Sequence, residues 1–108
     1  MGTRNQIVAS GRLMDVDILR YTPAGIPAVE FRLVHESTQK EAGGERKVQC
    51  EFNCICLGKQ APSLAALAAE TEIVVKGFLA AKGQRLKTNL VLHVVEWKIA
   101  PIAEPPVI

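Results

Sequence analysis

Lys82, Arg85 and Lys87 fall within six residues, with no acidic side chain between them. Ammonium and guanidinium groups at this spacing neutralise phosphates, so the chemistry on offer is a charge-based grip on a polyanion. A solvated hairpin tip accounts for such a run as readily. Residues 76–98 carry five basic groups and one acid, whereas residues 1–75 carry eight and nine. A net charge of +2 over 108 residues therefore conceals a basic final third.

Cys50, Cys54 and Cys56 form the second constellation. Their spacing puts all three on one face of a strand, either as a row of metal ligands or as small apolar fillers. Zinc sites pair ligands around a tight knuckle and bring a second pair from elsewhere, while residues 50 and 54 on a straight strand lie ~13 Å apart. The reading adopted is packing inside a barrel. His35 and His93 sit in separate strand patterns among apolar neighbours and read as packed, hydrogen-bonded histidines. Asp15 and Asp17 share a strand face, which suits a cation less well than solvent. There is no P-loop, GxGxxG, HExxH or GxSxG motif, so no catalytic residue, metal ligand or cofactor is expected.

Aromatic side chains make up only 5% of the chain. Phe31, Phe52 and Phe78 are expected to face the core. Tyr21 either stacks a base or anchors a turn, and Trp97 is read as packing at a barrel rim or a dimer contact in preference to stacking a base.

The elements that must position these residues are short, β-branched and alternating. Residues 7–21 read as one long strand with a bend near Gly11. TPAGIP at 22–27 is a turn. Residues 28–37 alternate, with Val29, Phe31, Leu33 and His35 on the inner face. TQKEAGGER at 38–46 reads as a flexible hairpin loop. Residues 47–57 put Val48, Cys50, Phe52, Cys54 and Cys56 inward. A short helix is predicted over 62–70, then strands over 72–81 and 89–100, with a basic loop between them.

Five strands, with one short helix between the third and fourth, predict an all-β fold: a five-stranded Greek-key OB-fold barrel. An SH3-like barrel is the rival, and the helix favours the OB arrangement. The expected organisation is one OB-fold domain over 1–100 and a short Pro-rich C-terminal tail over 101–108. The domain is taken as single-stranded-DNA-binding because the loop between the fourth and fifth strands of such barrels, basic here, commonly grips single strands. No run approaches the ~18 apolar residues of a membrane span, no leader is evident, and three close cysteines do not make a disulfide framework. A cytoplasmic protein is expected.

TPAGIP, the HESTQKEAG segment, the strand holding Cys50, then VKGF and LVLH occur in an order that resembles the primosomal replication protein N (PriB) family. The resemblance runs from about Arg4 to Ile99. It implies an OB-fold homodimer that binds single-stranded DNA, contacts a PriA-type helicase and helps recruit a DnaT-type loader in replication restart, without catalysis and without a long acidic-tipped tail. Carried across by position, it implies DNA contacts from Arg20, Arg46, Lys82, Arg85 and Lys87, to which Tyr21 is added as an exposed ring. Gln49 stands where strong binders have an aromatic, Gly44 where some have another, and Glu36 replaces a basic residue. Each stacked base is worth ~1–3 kcal/mol, so losing one platform costs roughly ten- to a hundredfold. The expectation is weak, mainly electrostatic DNA binding; the alternative is a helicase adaptor with incidental DNA contact.

Overall fold

The computed structural model describes residues 2–101. Its elements are β1 (Ile7–Met14), β2 (Arg20–Tyr21), β3 (Pro27–Glu41), β4 (Gly44–Leu57), α1 (Ala61–Ala65), β5 (Glu72–Ala81) and β6 (Leu90–Ile99). Alternation does the sorting, as period-two apolar residues must share one face of a strand. Leu13, Val29, Phe31, Leu33, Cys54, Cys56, Ile73, Val75, Leu92 and Val94 point inward and are buried together with Leu64 of α1. Excluding each large side chain from water contributes ~1.5–3 kcal/mol.

The strands run in the order β1-β5-β6-β4-β3-β2, and β1 also pairs with β3. That second pairing closes the barrel. Residues 7–12 of β1 lie antiparallel to β5, and Arg12–Met14 then lie against Arg32–Val34 of β3. The strand thus changes partner beside Gly11, where the bend was expected. On the far side, β4 and β6 pair in parallel over Cys54–Cys56 and Leu92–Val94. Five long strands and one short helix form the OB-fold barrel, as the sequence pattern implied.

Five local expectations change. The strand expected over 7–21 is two, because Asp15 adopts a positive φ of 50° and ends β1. The chain re-enters the sheet through the Asp17 amide, which donates to the Glu30 carbonyl at 2.9 Å. The segment 38–46 is not a loop: β3 and β4 pair as far as Glu41 and Gly44. Ala42 and Gly43, at φ 52° and 81°, make the two-residue turn whose twist matches the ribbon. The helix expected over 62–70 stops at Ala65. Only Ala61 and Leu64 are buried on it, and the chain is then drawn back to β1, where Glu70 and Thr71 pair with the two sides of Leu13 at 2.7 and 2.9 Å. A helix this short persists only by packing.

Phe78 is the fourth. Ile73, Val75 and Gly77 share the inner face, so parity sends Phe78 outward with Val74 and Lys76, and it is 39% exposed. A bulge between Lys76 and Gly77 accompanies this. A side chain at Gly77 would run into the His93 carbonyl, so only glycine lets β5 and β6 approach this closely here.

Cys50, also expected inward, is exposed, since it lies on the part of β4 that has left the barrel for the ribbon. Trp97 packs at the rim, as one of its two readings had it: its indole Nε1 donates to the Gln60 carbonyl at 3.1 Å, tying β6 to the start of α1. Among the described residues no helix is long and apolar enough to cross a membrane. The tail expected over 101–108 lies, beyond Pro101, outside the described residues.

Candidate nucleic-acid interface

The loop over 82–89 joins β5 to β6 and is exposed throughout. Its root is closed by the Lys82 amide donating to the Asn89 carbonyl at 2.7 Å, and the Asn89 amide donates back to Leu86 at 3.1 Å. Glycine, polar and basic residues and one exposed leucine, Leu86, fill the turn and nothing in it is acidic, so Lys82, Arg85 and Lys87 stand on a short, anchored projection. Among the described residues none of the three is in an ion pair. Their charges are uncommitted.

Arg20 and Arg46 are differently placed. Arg20 Nη2 lies 2.6 Å from Glu30 Oε2, with both groups partly shielded. Arg46 pairs with Glu41 at 3.2 Å near the ribbon tip, where both are exposed, so that bridge is worth little and leaves the guanidinium available. Arg20 and Lys82 line one cleft, with Glu30, Ile55 and His93. Arg46 is not part of that grouping: nine residues of strand separate it from Ile55, about 30 Å. Tyr21 is 63% exposed. The turn after it is anchored by Thr22 instead, whose hydroxyl accepts from the Ile26 amide at 3.1 Å, so the Tyr21 ring is open to stacking.

The outer face of β3 and β4 has a charge pattern that spacing alone did not disclose. Cross-strand register sets Glu30 beside Ile55, Arg32 beside Asn53, Val34 beside Glu51 and Glu36 beside Gln49. Arg32 is claimed twice, by Asp15 at 2.7 Å and Glu51 at 3.1 Å. The adjacent cleft of about 370 Å³ is lined by Asp15, Asp17, Glu30, Arg32, Asn53 and Lys82 among others. Carboxylates dominate this surface and repel phosphate. The β5–β6 loop is set apart by density, with three unpaired cations in six residues and no acid among them. Among the described residues Lys40 and Lys47 on the ribbon and Lys76 and Lys98 on β5 and β6 are unpaired as well.

The remaining chemistry-bearing residues resolve structurally. His35 Nδ1 donates to the Ser10 carbonyl at 2.7 Å and its Nε2 meets the Ser37 hydroxyl at 2.8 Å. Both nitrogens are occupied. Cys54 and Cys56 are each 1% exposed, and burial pushes the Cys54 thiol up to about 12 and raises that of Cys56. Thiols held neutral this way make poor ligands. Among the described residues no three of His, Cys, Asp and Glu gather where they could hold a metal ion. Reading Phe78 as core missed one feature: its ring lies parallel to that of His93 within 7°, with centroids 4.9 Å apart, on the outer face. The parity of Ile73, Val75 and Gly77 carried the signal.

Residues 5–96 match the model of a family described as another single-strand binding protein family. The chain is 40% identical over 96 residues to the replication restart protein PriB of Nitrosomonas europaea, covering 89% of this chain and 88% of that protein. It is 41% identical over 90 residues to PriB of Bordetella pertussis, covering 82% and 84%. Among solved structures, PriB from Ralstonia solanacearum superposes with a TM-score of 0.80 at 30% identity, over 91% of this chain and all of that one.

Proposed function

This chain belongs to the PriB family of single-strand binding proteins, and from that membership we propose that it serves replication restart by binding single-stranded DNA weakly, mainly through charge, while engaging a PriA-type helicase. The observation that carries the reading is the contrast between Lys82, Arg85 and Lys87, free of ion pairs, and the carboxylate-lined face of β3 and β4. Phosphates meet attraction at the loop and repulsion beside it. Catalysis has no part in this reading.

Three phosphates neutralised per protomer give a slope of about −2 in log affinity against log salt. Fluorescence anisotropy of labelled poly-dT, titrated across salt concentrations, measures it directly. A slope near zero overturns the loop grip, whereas a slope that flattens on Lys82→Ala plus Lys87→Ala supports it.

The acid-lined face also favours a second reading, in which helicase contact is primary and DNA contact incidental. Helicase stimulation measured beside DNA affinity in one buffer separates the two. Stimulation that survives loss of DNA binding in the double lysine variant supports the adaptor.

Homodimerisation belongs to the same proposal. Over residues 7–11, β1 pairs only with β5, leaving its other edge beside an apolar groove lined by Ile7, Ala9, Val48, Phe52, Leu79 and Leu90. An unpaired strand edge next to an apolar surface suits pairing with a second copy. Light scattering on the purified chain tests it. A DnaT-type loader, where one exists, is the further partner to assay on the same complex.

A further inference from the structure

A transverse row of residues crosses four strands on the outer face of the barrel. Register places Glu30 beside Ile55, Ile55 beside His93, and His93 beside Phe78. Arg20 closes the row at one end by its bridge to Glu30. At the other end stands the Phe78–His93 stack. Lys82, four residues beyond Phe78, lines the same cleft as Arg20, Ile55 and His93.

The placement of Phe78 calls for a reason. A phenylalanine left 39% exposed forgoes part of the ~1.5–3 kcal/mol that burial would contribute. Its ring is nevertheless held, because the stack on His93 fixes its plane and the unbroken parity of Ile73, Val75 and Gly77 directs it outward. A ring fixed beforehand loses little freedom when something flat lies on it. One ring face is taken by His93, and the 39% of the residue left exposed is the surface a ligand can reach. Two uncommitted properties therefore meet on this surface: a pre-oriented aromatic face and the cation of Lys82.

We infer that Phe78, braced by His93, is a stacking platform for one base of a single strand whose neighbouring phosphate is neutralised by Lys82. The inference rests on the proposed DNA-binding function and gives it a second contact, distinct in kind from the loop. It also relocates the aromatic contribution: with Gln49 and Gly44 offering no ring, the platform lies on β5 and β6. Stacking on a π-face tolerates any base, so this contact adds affinity without sequence preference.

The test uses two labelled strands of equal length, oligo-dT and a fully abasic strand, bound by the full chain at low salt. Phe78→Leu keeps an apolar side chain and removes the ring. It is expected to weaken oligo-dT binding about tenfold, leave abasic binding within twofold and leave the salt slope unchanged. Phe78→Trp is expected to restore oligo-dT affinity, with indole fluorescence quenched at saturation beyond any change from Trp97. Light scattering accompanies both variants.

Four results overturn the platform: Phe78→Leu binding oligo-dT like the parent, losing both strands in parallel, changing only the oligomeric state, or failing to be rescued by Phe78→Trp. The two readings fail differently. A parent chain that binds neither strand removes the DNA-binding function and the platform together. A parent that binds both strands equally, with Phe78→Leu indistinguishable from it, removes the platform alone.

Discussion

Arg20 and Glu30 hold each other at 2.6 Å across the β2–β3 pairing, each side chain only partly open to solvent. The cation that the family pattern assigns to DNA is thereby charge-balanced, and a phosphate approaching Arg20 also meets Glu30. Glu30→Gln frees the guanidinium and removes the repulsion. At surface dielectric the change is worth about 1 kcal/mol, a roughly fivefold gain in single-strand affinity, with the salt slope steeper by about 0.7. Anisotropy titrations of parent and variant at three salt concentrations give both numbers. An unchanged slope means Arg20 does not reach phosphate.

Much of this architecture was legible beforehand, and the reasons are local. β5 falls on residues 72–81 as the pattern placed it, because alternation and β-branched residues depend on no partner. The inner-facing Val29, Phe31, Leu33, Cys54 and Cys56 follow from the same parity. What escaped depends on register between strands. Arg32 is seventeen residues from Asp15 and nineteen from Glu51, and nothing in a linear reading tells which carboxylate a pleated neighbour will present. The ribbon was lost for another reason: TQKEAGGER has loop composition, yet its glycine pair supplies a hairpin turn and polar residues suit a ribbon solvated on both faces. Phe78 was legible by parity and was misread by residue type.

The ribbon turn is suboptimal at one position. Ala42 sits at φ 52°, a region that costs an L-residue with a Cβ ~1 kcal/mol and that asparagine tolerates. Ala42→Asn makes the favoured Asn-Gly pair with Gly43. It is expected to raise stability by up to ~1 kcal/mol in urea unfolding and to leave DNA affinity where it was.

Trp97 and Gln60 are joined twice, by the indole Nε1 to the Gln60 carbonyl at 3.1 Å and by the Trp97 amide to Gln60 Oε1 at 3.3 Å. Trp97→Phe removes the first bond and part of the packing against the core. A cost of about 1–3 kcal/mol is expected, read as a lower urea midpoint. Gln60→Ala removes only the second, longer bond and is expected to cost no more than ~1 kcal/mol. The reverse ranking overturns the assignment of the indole as the tie between β6 and α1.

Buried thiols make the barrel sensitive to alkali in a defined window. Cys54 ionises at 9.0 in an ordinary environment and, through burial, at about 12 in the fold. Below pH 9 both states keep the proton and stability does not depend on this group. Between pH 9 and about 12 the unfolded chain has lost the proton and the folded chain has not. Stability then falls with rising pH by about 1.4 kcal/mol per unit. Cys56, raised in the same direction by the same cause, adds to the fall. Comparing urea midpoints of the parent and Cys54→Val at pH 7 and pH 10.5 cancels the groups they share. The parent is expected to lose about 2 kcal/mol more than the variant over that interval. In the folded protein at pH 8 a disulfide reagent should titrate Cys50 alone, the exposed thiol of the three, and reaction of all three without unfolding would show that the barrel opens far more readily than its packed interior implies.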